Sequence, residues 1–207
     1  IGINEEEIQF SQGDFAEHKA KLVSLGAQTI EIRQLKDLEN PLDGLVLPGG
    51  ESTVQGKPLS DLGILEPLRE KIQQDLPVLA TCAGLILLAE NVKNRKALLA
   101  TLPVTVKRNA YGRQLGSFTT AFDFADFGQV PATFIRAPCI SEVEDEVEIL
   151  SKHQGKIIAA RYRNQIGLLF ILKLIRVTAF IRIFEDLSNK VKPVNIISLK
   201  NGTIEKH

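Results

Sequence analysis

The chain has 207 residues, 44% of them apolar, with 25 Lys plus Arg against 25 Asp plus Glu. That length suits one compact domain with a sizeable core, and zero net charge argues against a nucleic-acid binder, which carries a basic excess. Two cysteines, Cys82 and Cys139, make no disulfide framework and point to the cytoplasm.

The N-terminus, Ile1-Gly2-Ile3-Asn4 followed by three glutamates, lacks the basic segment of a secretory signal. Asp14 to Leu25 reads as a helix closed by Gly26, and Thr29 to Arg33 as a strand. Gly44 to Leu47 is a short apolar strand ending at Pro48-Gly49-Gly50. Leu65 to Gln74 is helical, Pro77 to Ala80 is a buried strand, and Gly84 to Glu90 starts another helix. This alternation predicts an α/β fold with a mostly parallel sheet and helices on both faces. From about residue 103 the texture changes to strands with short turns: Val104 to Lys107, Phe118 to Phe122, Thr133 to Arg136, Val147 to Leu150 and Lys156 to Tyr162. Those predict mixed or antiparallel additions. Asn164 to Phe170 reads as a last inner strand and Ile175 to Val191 as a closing helix. The longest apolar run, Ile166 to Phe184, contains Lys173, Arg176 and Arg182, charges too costly for a membrane span. No repeat or linker divides the chain, so residues 1–207 read as a single domain.

Four segments could carry chemistry. In Leu79-Ala80-Thr81-Cys82-Ala83-Gly84-Leu85 an apolar strand runs into small residues and then a helix. That is the pattern of a nucleophile elbow, in which a sharp turn presents a side chain at the carboxyl edge of the sheet. A thiol there meets first-turn amides that favour its thiolate, and the Ala83 N–H can face an oxyanion. A lone cysteine is nonetheless more often a buried structural residue. The Pro48-Gly49-Gly50-Glu51-Ser52-Thr53 loop frees the backbone to point amides at a ligand, although a Gly-Gly pair alone is a weak signal. Arg108-Asn109-Ala110-Tyr111-Gly112-Arg113-Gln114 is a polar loop with two positive charges, ordinarily just solvated. In Phe134-Ile135-Arg136-Ala137-Pro138, Arg136 ends an apolar strand, where it can reach a carboxylate or serve as a surface charge.

Together with Gln12-Gly13-Asp14-Phe15-Ala16-Glu17-His18, and in this order, these segments resemble the glutaminase subunit of pyridoxal 5′-phosphate synthase. The resemblance covers residues 8 to 162, leaves a tail of 163–207 that is atypical, and favours Cys82 as a functional thiol. It implies a class I glutamine amidotransferase-like three-layer fold. It also implies glutamine hydrolysis to glutamate and ammonia, with ammonia passed to a synthase subunit. Cys82 would be the nucleophile, and the Gly50 and Ala83 amides the oxyanion hole. Gly50, Glu51, Ser52, Arg108, Ile135 and Arg136 would bind L-glutamine, and the helix around Glu17 and His18 would lie near the synthase subunit. No metal-ligand cluster or dinucleotide-type glycine loop is present in the sequence, so no cofactor is expected; pyridoxal phosphate would be a product of the complex.

The sequence departs from the family at several points. Ala80 stands where the family has Gly, residues 1 to 11 are acidic where the family has an apolar strand, and Pro58 falls in a segment that is helical in the family. Near the end, where the family has Ser-Phe-His-Pro-Glu, the chain reads Leu169-Phe170-Ile171-Leu172-Lys173. Ile171 replaces the general base, and Lys173 replaces the carboxylate that orients it. The three histidines are His18, His153 and His207, and His153 falls in a predicted solvated turn, Lys152-His153-Gln154-Gly155. Weak or absent glutaminase activity is therefore expected. A non-catalytic subunit that binds glutamine or docks on the synthase is the alternative. A one-base shift would account for both losses together, as one freely chosen set of codons illustrates. The codons TCT TCT TTT CAT CCT GAA ATT GAT T encode Ser-Ser-Phe-His-Pro-Glu-Ile-Asp. With the first base dropped they encode Leu-Leu-Phe-Ile-Leu-Lys-Leu-Ile, which is residues 168–175.

Overall fold

The computed structural model describes residues 28–49, 59–107, 118–123, 129–134, 139–169 and 195–199. The expected helices over 14–25 and 175–191 lie outside these residues, as do the expected strand ends at 135–136 and Phe170. The strands are β1 (Gln28–Ile32), β2 (Gly44–Leu47), β3 (Val78–Thr81), β4 (Ala89–Val92), β5 (Leu102–Lys107) and β6 (Phe118–Asp123). They continue with β7 (Gln129–Phe134), β8 (Cys139–Val143), β9 (Glu148–His153), β10 (Lys156–Tyr162), β11 (Gln165–Leu168) and β12 (Asn195–Leu199). Helix α1 (Leu65–Gln73) precedes β3, and α2 (Ala83–Leu88) follows it.

The main sheet has ten strands in the order β1-β12-β2-β3-β11-β10-β8-β5-β4, with β9 paired to β10. β1, β12, β2, β3 and β11 run parallel, and β11, β10, β8 and β5 alternate in direction. β6 and β7 form a separate antiparallel pair. The expected parallel core with antiparallel additions is therefore present. Parallel strands covered on both faces need continuous apolar runs, and every residue of β2, β3 and β11 is buried.

α1 follows Gly63, whose φ of +66° suits glycine, and buries Leu68 and Ile72, four residues apart on one face. α2 is shorter than the expected Gly84 to Glu90. The carbonyls of Leu87 and Leu88 accept hydrogen bonds from the Leu99 and Thr101 amides, and the chain turns into β4 at Ala89. The β9–β10 hairpin closes through Gln154 and Gly155, whose φ values of 49° and 74° are the positive φ that a tight two-residue turn requires at both central residues. The turn expected around His153 is thus present, but His153 itself is half-buried at the end of β9, opposite Lys156.

The beginning of β11 is fixed by a buried polar pair. Gln165 Nε2 donates to the Thr101 carbonyl at 2.9 Å, and the Thr101 hydroxyl donates to Gln165 Oε1 at 2.7 Å. Each buried polar group is thereby given a partner, as burial requires.

Candidate active site

Cys82 stands where β3 passes into α2, with φ 47° and ψ −101°. A non-glycine residue there is outside the usual backbone wells, at a cost of order 1–3 kcal/mol that the surroundings must hold in place. The surroundings do so from three sides. The Cys82 amide donates to the Leu168 carbonyl at 2.8 Å, which ties the turn to the end of β11. The Cys82 carbonyl accepts from Ile86 at 3.4 Å, the first bond of α2. Ala83 is 1% exposed and Thr81 is fully buried, while Cys82 is half-buried. The amides of the first helical turn have no intrahelical acceptor, so those of Ala83 and its neighbours are placed beside the thiol.

Two glycines set how closely α2 sits on the sheet. A Cβ on Gly84 would lie 2.2 Å from the Leu47 carbonyl oxygen and 2.7 Å from the Leu47 Cβ. The start of α2 therefore touches the last residue of β2, just before Pro48 and Gly49. A Cβ on Gly167 would lie 2.4 Å from Leu85 Cδ1, so β11 leaves room for the helix as well. Gly167 was not singled out by sequence reasoning; a glycine inside the apolar run Gln165-Ile166-Gly167-Leu168 was its one signal. Ala80, the departure beside the elbow, is fully buried in β3, with Leu47 on one side and Gly167 on the other. The residue opposite it thus contributes no side chain.

The sheet also gathers other ends at this level. β3 and β11 are in register at Thr81 and Leu168, so Leu169 follows beside Cys82. Leu169 donates to the Ile158 carbonyl at 3.0 Å, and Ile157 pairs with Ile140, which puts Cys139 level with Ile158. Cys139 in turn pairs with Lys107. The end of β5 and the start of β8 thus arrive at the level of the elbow. Of the residues singled out above, Cys82 and Ala83 are brought together here. Gly50, Glu51, Ser52, Arg108, Ile135, Arg136, Ile171, Lys173, Glu17, His18 and His207 lie outside the described residues. Among the described residues no group of three or more His, Cys, Asp or Glu could hold a metal ion.

The Thr81 hydroxyl, next to the nucleophile position, is buried without a hydrogen-bond partner among the described residues. Thr81→Val removes that group at nearly constant volume. It is expected to stabilise the fold by about 1 kcal/mol, measured as a higher urea midpoint at unchanged slope. A lower midpoint would show that the hydroxyl has a partner in solution.

Comparison with known proteins agrees with this arrangement. The chain matches the SNO glutamine amidotransferase family over residues 9–185, past the end of the motifs read from the sequence. It is 61% identical over 160 residues to the pyridoxal 5′-phosphate synthase subunit PdxT of Desulfitobacterium hafniense, spanning 77% of this chain and 80% of the relative. It is 51% identical over 159 residues to the subunit of the same name from Methanocorpusculum labreanum, spanning 77% and 84%. A crystal structure of a glutamine amidotransferase superposes with a TM-score of 0.80 at 34% identity, covering 86% of this chain and 96% of that one. The fold is thus the three-layer α/β arrangement of class I glutamine amidotransferases, and the chain belongs to the SNO glutamine amidotransferase family.

Proposed function

We propose that the chain is the glutaminase subunit of a pyridoxal 5′-phosphate synthase, which hydrolyses L-glutamine at Cys82 and passes ammonia to the synthase subunit. The observation that carries the reading is the strained Cys82 backbone at the carboxyl edge of β3, beside the first-turn amides of α2. Strain of this kind persists where a side chain must be presented. Membership of the glutamine amidotransferase family supplies the substrate class.

In this reading the Cys82 thiolate attacks the side-chain amide carbon of glutamine. The oxyanion forms against the Ala83 and Gly50 amides, where preorganised donors are most effective. The C–N bond then breaks, nitrogen takes a proton from water and leaves as ammonia, and a γ-glutamyl thioester remains. Water hydrolyses the thioester to glutamate and restores the thiol. Glu51, Ser52, Arg108, Ile135 and Arg136, with Gly50, are the proposed glutamine contacts. The chain works as a single domain in the cytoplasm; one sheet holding strands from residue 28 to 199 supports the first point. No helix among the described residues is long and apolar enough to cross a membrane.

A second reading is favoured by one observation: Ile171 and Lys173 stand where the family has its base and orienting carboxylate. On that reading the subunit binds glutamine or docks on the synthase without turnover. Labelling with a glutamine-like chloroketone separates the two. An activated Cys82 labels fast and saturably, glutamine protects it, and Cys139 stays unlabelled. Labelling of Cys82 no faster than Cys139, with glutamine still protecting, marks a binding subunit. Labelling that glutamine does not slow would overturn the assignment of the site.

A further inference from the structure

The last strand among the described residues is in the middle of the sheet. β12 lies between β1 and β2 and runs parallel to both. Its register with β1 extends from Gln28–Asn195 to Ile32–Leu199, and with β2 from Gly44–Ile196 to Val46–Ser198. Among the described residues, β1 reaches the rest of the sheet through β12. The Leu45 amide donates to the Pro77 carbonyl, on the β3 side. Backbone groups alternate sides along a strand, so the Val46 amide faces β12. The sequence suits the place: Asn195-Ile196-Ile197-Ser198-Leu199 carries two β-branched isoleucines and a leucine, whereas Lys200-Asn201-Gly202 and Glu205-Lys206-His207 follow it. β2 in turn delivers Leu47, against which Gly84 packs, and then Pro48 and Gly49.

We infer that β12 is the strand that locks β1 and β2 into the parallel sheet, so that the C-terminal segment of the chain fixes the end of β2 beside the Cys82 turn. β2 is a central strand only while β12 is in place. Without it, among the described residues, β2 becomes an edge with one row of unpaired backbone groups, and β1 has no ladder. The inference concerns the sheet and does not depend on the proposed reaction.

Two variants test it. In the full chain, Ile197→Pro puts a residue without an N–H into a central strand, where proline is not tolerated. Residue-resolved hydrogen exchange is then expected to speed up at Val46 and across β1 by at least roughly tenfold more than at Leu79 in β3. The second variant ends after Pro193. It is expected to lose protection at Val46 and to melt lower, and a synthetic peptide of residues 194–200 is expected to restore both. Unchanged Val46 protection and an unchanged melting temperature in the two variants would overturn the inference. The readout needs no glutamine, so inactivity of the chain leaves it intact.

Discussion

Ile171→His combined with Lys173→Glu is expected to raise glutamine hydrolysis by about 10²–10⁴-fold, the usual contribution of a general base. Lys173→Glu alone should change little, because a carboxylate without an imidazole to orient has no proton to move. Ile171→His alone should give part of the gain. β11 is the parallel neighbour of β3, Leu168 is in register with Thr81, and the Leu168 carbonyl accepts the Cys82 amide at 2.8 Å. The chain therefore leaves β11 within a hydrogen bond of the nucleophile's own backbone. A base carried a few residues further has a short path to the thiol, and no other histidine in the described residues shares that advantage. His153 ends β9, with β10 and β11 between its strand and β3. At roughly 4.8 Å per strand it lies too far across the sheet to take the proton.

The pH profile gives the sign. The neutral imidazole is the base, so activity of the double variant should rise with pH through about 6.5 and be lost below it. Cys82→Ser in that background should return the rate to that of the starting chain. Glutamate release, with and without the synthase subunit, is the measurement. A double variant as slow as the starting chain would show that the missing base does not belong at residue 171. Sequencing the coding DNA in three frames tests the same point independently. A neighbouring frame that spells Phe-His-Pro-Glu makes the double variant the ancestral site. A single open frame through Ile171-Leu172-Lys173 makes the chain a relative that lost its base.

Much of the fold was legible because strands with a buried apolar run announce themselves, whichever way they pair. Gly44–Leu47 and Lys156–Tyr162 have the bounds read from their apolar runs, and α1 differs by one residue at its end. Three strands were missed, for different reasons. β4 begins directly where α2 ends, so no turn residue separates the two, and hydrogen bonds from Leu99 and Thr101 decide where the helix stops. β8 has Ser141 and Glu142 adjacent between Ile140 and Val143, which breaks strict alternation and leaves too short and polar a pattern to stand out. β12 is ordinary strand sequence, but its place between β1 and β2 is a long-range pairing that no local pattern encodes. At the site, small residues around Cys82 revealed the turn. The contact between Gly84 and Leu47 did not appear, because it joins segments far apart in the chain.

That contact predicts the second large effect. Gly84→Ala is expected to destabilise the fold by about 1–3 kcal/mol, the usual cost of overpacking. It should also slow hydrolysis in the Ile171→His, Lys173→Glu background by about 10²-fold, as an ångström-scale misplacement does. The new methyl would meet the Leu47 carbonyl oxygen at 2.2 Å, and that oxygen is backbone in a central strand, so no side chain can rotate away. Either α2 lifts or the end of β2 moves. Both displacements separate the Ala83 amide from the Pro48-Gly49 loop, so stability and chemistry should fall together. Gly155→Ala is the control. Its φ of +74° makes alanine strained there, but nothing lies within 4 Å of the added Cβ. It should cost about 1–2 kcal/mol through backbone strain alone and leave the rate of hydrolysis unchanged. If Gly84→Ala instead behaves like Gly155→Ala, losing stability but keeping the rate, the elbow tolerates a shift of its helix. The spacing of the two loops would then be set from the other side, where β12 holds β2.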